Sequence, residues 1–191
     1  MKYSMALIML SAFVIGCANP LNRATSDRYN QMCLEAEEAG NLAVASEACY
    51  RAYVNVEWGN LGPEVRSERL YNFGRVLRKS GRYEDAKEAL SRSLAEEEKL
   101  SGKSSVKTGR RMAELAATYI ELNQIESGIP YVDRLIPNTE QYSKSEKTFI
   151  AALLKFYGDK LLDSNQIEKA NLYKSTMAKL GYSDEFFEKV R

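Results

Sequence analysis

LYNFGRVLRKSGRYEDAKEAL, residues 70–90, reads as two amphipathic helices joined at a turn. Leu70, Phe73, Gly74 and Leu77 fall at i, i+3, i+4 and i+7, the apolar stripe of one helix face. Gly81 follows, a residue that readily adopts the left-handed backbone on which helices end. Tyr83, Ala86 and Leu90 then begin a second stripe. Gly74 lies inside the first stripe, where the missing side chain lets a partner helix come close. The stretch predicts a helical hairpin with its contact face already marked.

The same arrangement recurs. From Gly81 a step of 42 residues reaches Asn123 and another reaches Asn165, both opening the tetrapeptide NQIE, and a step of 41 backward reaches Gly40. Ahead of the later turns lie Met112, Leu115, Ala116 and Tyr119, then Leu154, Tyr157, Gly158 and Leu161, each set with a small residue in the same place. After them come Ile125, Gly128 and Val132, and less regularly Ile167, Ala170 and Lys174. Self-similarity at such a period is the mark of a solenoid.

On these residues the chain resembles the tetratricopeptide repeat (TPR), with its L-G pair in the first helix, its Gly turn and its Ala early in the second. The 42-residue period, and residues 61–86 in particular, resemble the kinesin-light-chain type. The resemblance implies an all-α, right-handed α-solenoid of about four TPR-like hairpins. Expected helices span 24–39 and 42–58, 63–80 and 83–101, 104–122 and 126–136, 143–163 and 166–180. Ser183 is the expected N-cap of a last helix whose Phe186 and Phe187 cover the end of the array. Unit 3 departs from the family in Gly128 and in Pro130, which is expected to delay its second helix; unit 1 is weaker.

The N-terminus carries a different message. In MKYSMALIMLSAFVIGCANP, Lys2 precedes an apolar run over 5–15, too short to span a bilayer that needs about 20 residues. Val14-Ile15-Gly16-Cys17 at its end resembles the lipobox of bacterial lipoproteins. That resemblance implies cleavage before Cys17, acylation of its thiol and, with Ala18 rather than Asp next, the periplasmic face of the outer membrane. The division is then a signal peptide over 1–16, a lipid-anchored tether over 17–24, the repeat domain over 25–180 and a capping helix over 181–191.

Composition excludes several functions. Lys plus Arg number 27 against 26 Asp plus Glu, so no net attraction to nucleic acid is expected. The sequence has no histidine, three cysteines and no CxxC, which leaves neither the commonest general base nor a usual zinc set; no metal or cofactor is expected. Gly102-Lys103-Ser104 resembles the end of a P-loop, but Glu97 stands where that motif needs glycine. The run Glu96-Glu97-Glu98 and the pair Arg110-Arg111 read as solvated helix faces. Cys33 and Cys49 are placed symmetrically about the turn at Gly40-Asn41, at equal heights on facing helices. They form either a disulfide, favoured in an oxidising periplasm, or two buried thiols.

TPR-type solenoids recognise partners on a concave surface lined by the first helix of each pair. The family's inner positions fall on Asn30, Gln31 and Leu34; on Tyr71, Asn72, Arg75 and Lys79; on Arg110, Ala113, Glu114 and Ala117; and on Lys155, Phe156 and Asp159. Asn72 matches the family asparagine that binds a ligand's backbone. The resemblance implies a non-enzymatic scaffold for a protein or peptide partner, assisting assembly of an envelope, pilus or secretion complex. An adaptor for cell-wall enzymes and a small murein-acting enzyme are the alternatives.

Overall fold

The computed structural model describes residues 18–188. Four antiparallel helical hairpins follow one another: α1 (Pro20–Glu38) with α2 (Leu42–Gly59), α3 (Pro63–Lys79) with α4 (Tyr83–Ser101), α5 (Val106–Glu121) with α6 (Ile125–Leu135), and α7 (Lys144–Asp163) with α8 (Ile167–Lys179). A 3₁₀ segment (Ile136–Gln141) links α6 to α7, and a short α9 (Asp184–Glu188) follows the last pair.

The four turns share one mechanism. Gly40, Gly81, Asn123 and Asn165 have φ of 73°, 78°, 54° and 59°, the left-handed region expected of them. In each case the next residue's N–H reaches back five positions: Asn41 to Ala36, Arg82 to Leu77, Gln124 to Tyr119 and Gln166 to Leu161. This is the Schellman closure, which satisfies carbonyls that a helix end otherwise leaves open. The repeated NQIE is therefore a helix stop followed by a helix start.

Packing follows the stripes. Leu70, Gly74 and Leu77, then Met112, Leu115 and Ala116, then Leu154, Tyr157, Gly158 and Leu161 are buried. The largest apolar cluster runs from Leu90 on α4 to Met177 on α8. Unit 1 has a thinner core of Cys33, Ala45, Ala48 and Cys49 against Val76.

Several boundaries differ from expectation. Asn19 caps a helix that starts at Pro20, a favourable first-turn residue, so most of the expected 17–24 tether is helical. Pro130 does not delay α6, which starts at Ile125. The N–H that proline lacks would have bonded to Glu126, in the first turn, where Ser127 already makes a tighter bond to Gln124. At the C-terminal end Phe187 packs against the core cluster, whereas Phe186 remains 40% exposed, so only one of the two rings covers unit 4.

Candidate functional site

Tyr71, Arg75 and Lys79 project from α3, Arg110, Ala113 and Glu114 from α5, and Phe149 with Ile150 from α7 into one cavity of about 490 Å³. Tyr142 and Ser143 close it beside Glu146. Helical spacing explains the lining: Tyr71, Arg75 and Lys79 are four apart, on the side of α3 away from its buried stripe.

The floor is aromatic and the walls carry both charges. Tyr71 lies between two guanidiniums, with Arg75 Cζ 5.4 Å and Arg111 Cζ 5.0 Å from its ring centre. Burial, with the nearby Glu114, pushes the Tyr71 phenol's pKa up against the opposing effect of Arg75 and Arg111. Arg75 and Lys79 both hold the Glu37 carboxylate, at 2.6 and 2.7 Å, and Arg78 holds Glu114 at 2.8 Å. Across the groove Arg110 pairs with Glu146. Burial raises the Glu146 pKa, but Arg110 and the Ser143 hydroxyl and N–H more than offset this and hold it at about 2. The groove thus presents Lys79 and Arg110 at its rim, already paired, while the Glu37 and Glu114 carboxylates behind its cations are buried.

The other expected groove residues sit elsewhere. Asn72 is 6% exposed and donates to Asn30 Oδ1 at 2.9 Å, so these two tie α1 to α3 inside the stack. Gln31 bonds to Glu35, and Leu34 is exposed on unit 1. Ala117 is buried. Lys155 pairs with Asp159 and with Asp184 of α9, and Phe156 packs edge-on against Tyr157. None of these lines the cavity. The family's inner positions do not include Tyr142, Ser143 and Glu146, although Ser143 and Glu146 have the S-x-x-E spacing of a capping box and do form one.

The reading of Glu97 and Arg111 as solvated was wrong. Arg111 Nη2 lies 2.8 Å from Glu97 Oε2, and both side chains are 5% exposed. Neighbouring Arg110 does face the groove, because one residue turns a helix by about 100°. Cys33 and Cys49 face each other with Cα atoms 5.0 Å apart and sulfurs within bonding contact, inside the range that a disulfide requires. Cys17 lies outside the described residues. Among those residues, no group of three or more His, Cys, Asp or Glu side chains is gathered as a metal site would need.

A second cavity, of about 400 Å³, opens between α2 and α4 and is lined by Tyr50, Tyr53 and Phe73 with Arg82 and Arg92. Arg92 donates to the Tyr53 hydroxyl at 2.8 Å, so this exposed residue is tied down across the two helices.

Stacked hairpins with left-handed Gly or Asn turns and small residues at the crossings define a TPR-like α-solenoid. Nearly identical TPR-like repeats of a kinesin light chain from Podosopora anserina share this fold, with a TM-score of 0.63, 14% identity and coverage of 82% of this chain and 74% of that one. BtubC (BKLC) from P. vanneervenii matches with a TM-score of 0.60 and 10% identity over 86% of this chain and 73% of that one. No protein-family model and no curated protein sequence matches the chain.

Proposed function

We propose that this protein is a non-enzymatic scaffold that holds an extended segment of a partner protein in the groove between α3, α5 and α7. Acylated at Cys17 and stapled by a Cys33–Cys49 disulfide, it serves assembly of an envelope, pilus or secretion complex at the periplasmic face of the outer membrane. The observation that carries the reading is the groove itself: an aromatic floor at Tyr71 and Phe149 under the rim cations Lys79 and Arg110, with the half-buried Glu146 beside them, a surface suited to a peptide with apolar and charged side chains. Such surfaces act through a few residues, Tyr and Arg prominent among them.

Tyr71 packs on the core and Arg75 holds Glu37, so truncating either would mix folding with binding. Lys79 and Arg110 are the better probes, with side chains 43% and 45% exposed at the rim. Lys79→Ala with Arg110→Ala should lower partner capture from solubilised membranes tenfold or more, about 1.4 kcal/mol, with the helical circular dichroism retained. Undiminished capture by this double variant would move recognition off the groove.

A further inference from the structure

In an array of stacked hairpins, the outer face of a terminal unit is ordinarily polar because no neighbour covers it. Unit 1 departs from this. Leu21 on α1 and Trp58 on α2 are each 76% exposed. Asn22 and Gly59 face each other across this hairpin so closely that a Cβ on Gly59 would lie 2.5 Å from that of Asn22. Leu21 and Trp58 each precede one member of that pair. Because the helices run antiparallel, one step back turns both side chains by about 100° toward the same side. They form one apolar patch at one end of the hairpin, and Arg28, two turns along from Leu21, shares that side of α1.

The chain leading to this patch is short. The Asn19 N–H donates to Gly59 O at 2.9 Å, and helix begins at Pro20. At no more than about 3.6 Å per residue, Cys17 lies within about 7 Å of Asn19. We infer that the Leu21–Trp58 patch is a membrane-contact face, seated in the headgroup region of the bilayer that receives the Cys17 acyl chains; this rests on the proposed acylation. An acyl chain rooted this close brings lipid to the patch before any other partner. Tryptophan suits the site, its apolar ring and N–H matching an environment that is dry on one side and wet on the other. Arg28 adds attraction to anionic headgroups. Among the described residues no helix is long and apolar enough to cross a membrane, so the contact is with the surface. Over so short a link, unit 1 is laid against the lipid and fixes the orientation of the stack.

Trp58 is the only tryptophan in the sequence, so its fluorescence reports this site alone. Full-length acylated protein in phosphatidylethanolamine–phosphatidylglycerol vesicles should show blue-shifted emission and quenching by lipids brominated on their acyl chains. Iodide quenching should fall by more than half relative to the Cys17→Ser chain in buffer. Leu21→Glu in the acylated protein should return the emission toward its buffer position with circular dichroism unchanged. Acylated protein whose Trp58 stays fully open to iodide would overturn the contact face and leave the anchor standing. A chain without acyl mass would overturn both. Shielding that disappears when the protein is diluted within the bilayer would identify a second copy as the cover and also overturn the inference.

Discussion

Arg111 shows how much can turn on a single side chain. It links α5 to α4 through Glu97, donates to Ser93 Oγ at 2.7 Å and Ser67 Oγ at 2.9 Å, and stacks on Tyr71 beneath the groove. Ser67 in turn donates to Glu97 at 2.9 Å, so the pair is enclosed by hydroxyls that satisfy it. Arg111→Ala would strand a buried carboxylate, and a loss of about 3–5 kcal/mol is expected in denaturant unfolding; Arg110→Ala, at the groove rim, should cost well under half of that. Burial pushes the Glu97 pKa up, but Ser101, Arg111 and Ser67 together bring it below the ordinary carboxylate value. A lowered folded-state pKa contributes stability that is present above the unfolded value and lost as pH falls through the folded one. Glu146, lowered from 4.5 to about 2, has the same sign. Acid should therefore weaken the fold across that window, and less so in Arg111→Ala. The family's inner positions picked out Arg110 for the groove, but nothing in the sequence spacing showed that Arg111 is buried, because only the position of a neighbouring helix decides that.

Among the elements, the crossings divide into those that need glycine and those that tolerate more. A Cβ on Gly74 would lie 2.6 Å from Leu90 Cγ and 3.2 Å from its backbone N, so α3 and α4 must separate to admit it. On Gly158, at the equivalent point of unit 4, it would meet Tyr173 Cβ at 3.6 Å, an ordinary contact. Gly74→Ala is expected to cost about 1–3 kcal/mol by overpacking. Gly158→Ala should be neutral or gain up to about 1 kcal/mol from helix propensity, and equal melting temperatures for the two would contradict this geometry. The sequence period made the two glycines look alike, and it located the hairpins, turns and buried stripes for the same reason: those depend on residues close along the chain. It did not explain Gly128. Tyr157 from the next unit donates to Ala116 O at 2.8 Å, and its hydroxyl would lie 1.7 Å from a Cβ at 128. The alanine usual in the family would collide with that tyrosine, a relation between residues far apart in sequence. The cavity was legible only in part for the same reason, since Tyr142 reaches it from the irregular link between α6 and α7 and Glu146 from the first turn of α7.

Across the whole molecule, stability is a sum over units and the contacts between them, so the unit with the least core is the one expected to open first. Unit 1 has alanines and two cysteines where unit 3 has Met112, Leu115 and Val132. Beside the apolar contacts with Val76 and Phe73, polar ties join it to unit 2: Arg69 of α3 reaches Ser26 Oγ at 3.3 Å and Asp27 at 2.6 Å, and Asn72 reaches Asn30. Glu37, which holds Arg75 and Lys79 at the groove rim, also belongs to unit 1. The cysteines are 16 residues apart, and a bond closing such a loop is worth about 3 kcal/mol. Reduction should therefore speed amide exchange in α1 and α2 while α5 to α8 keep their protection, and Cys33→Ala should reproduce this without reductant. Partner capture should weaken in step, because Arg75 and Lys79 lose the carboxylate that positions them. Exchange that rises equally in every helix would show one cooperative block, and exchange unchanged by reductant would show that the staple contributes nothing to holding unit 1 on the stack.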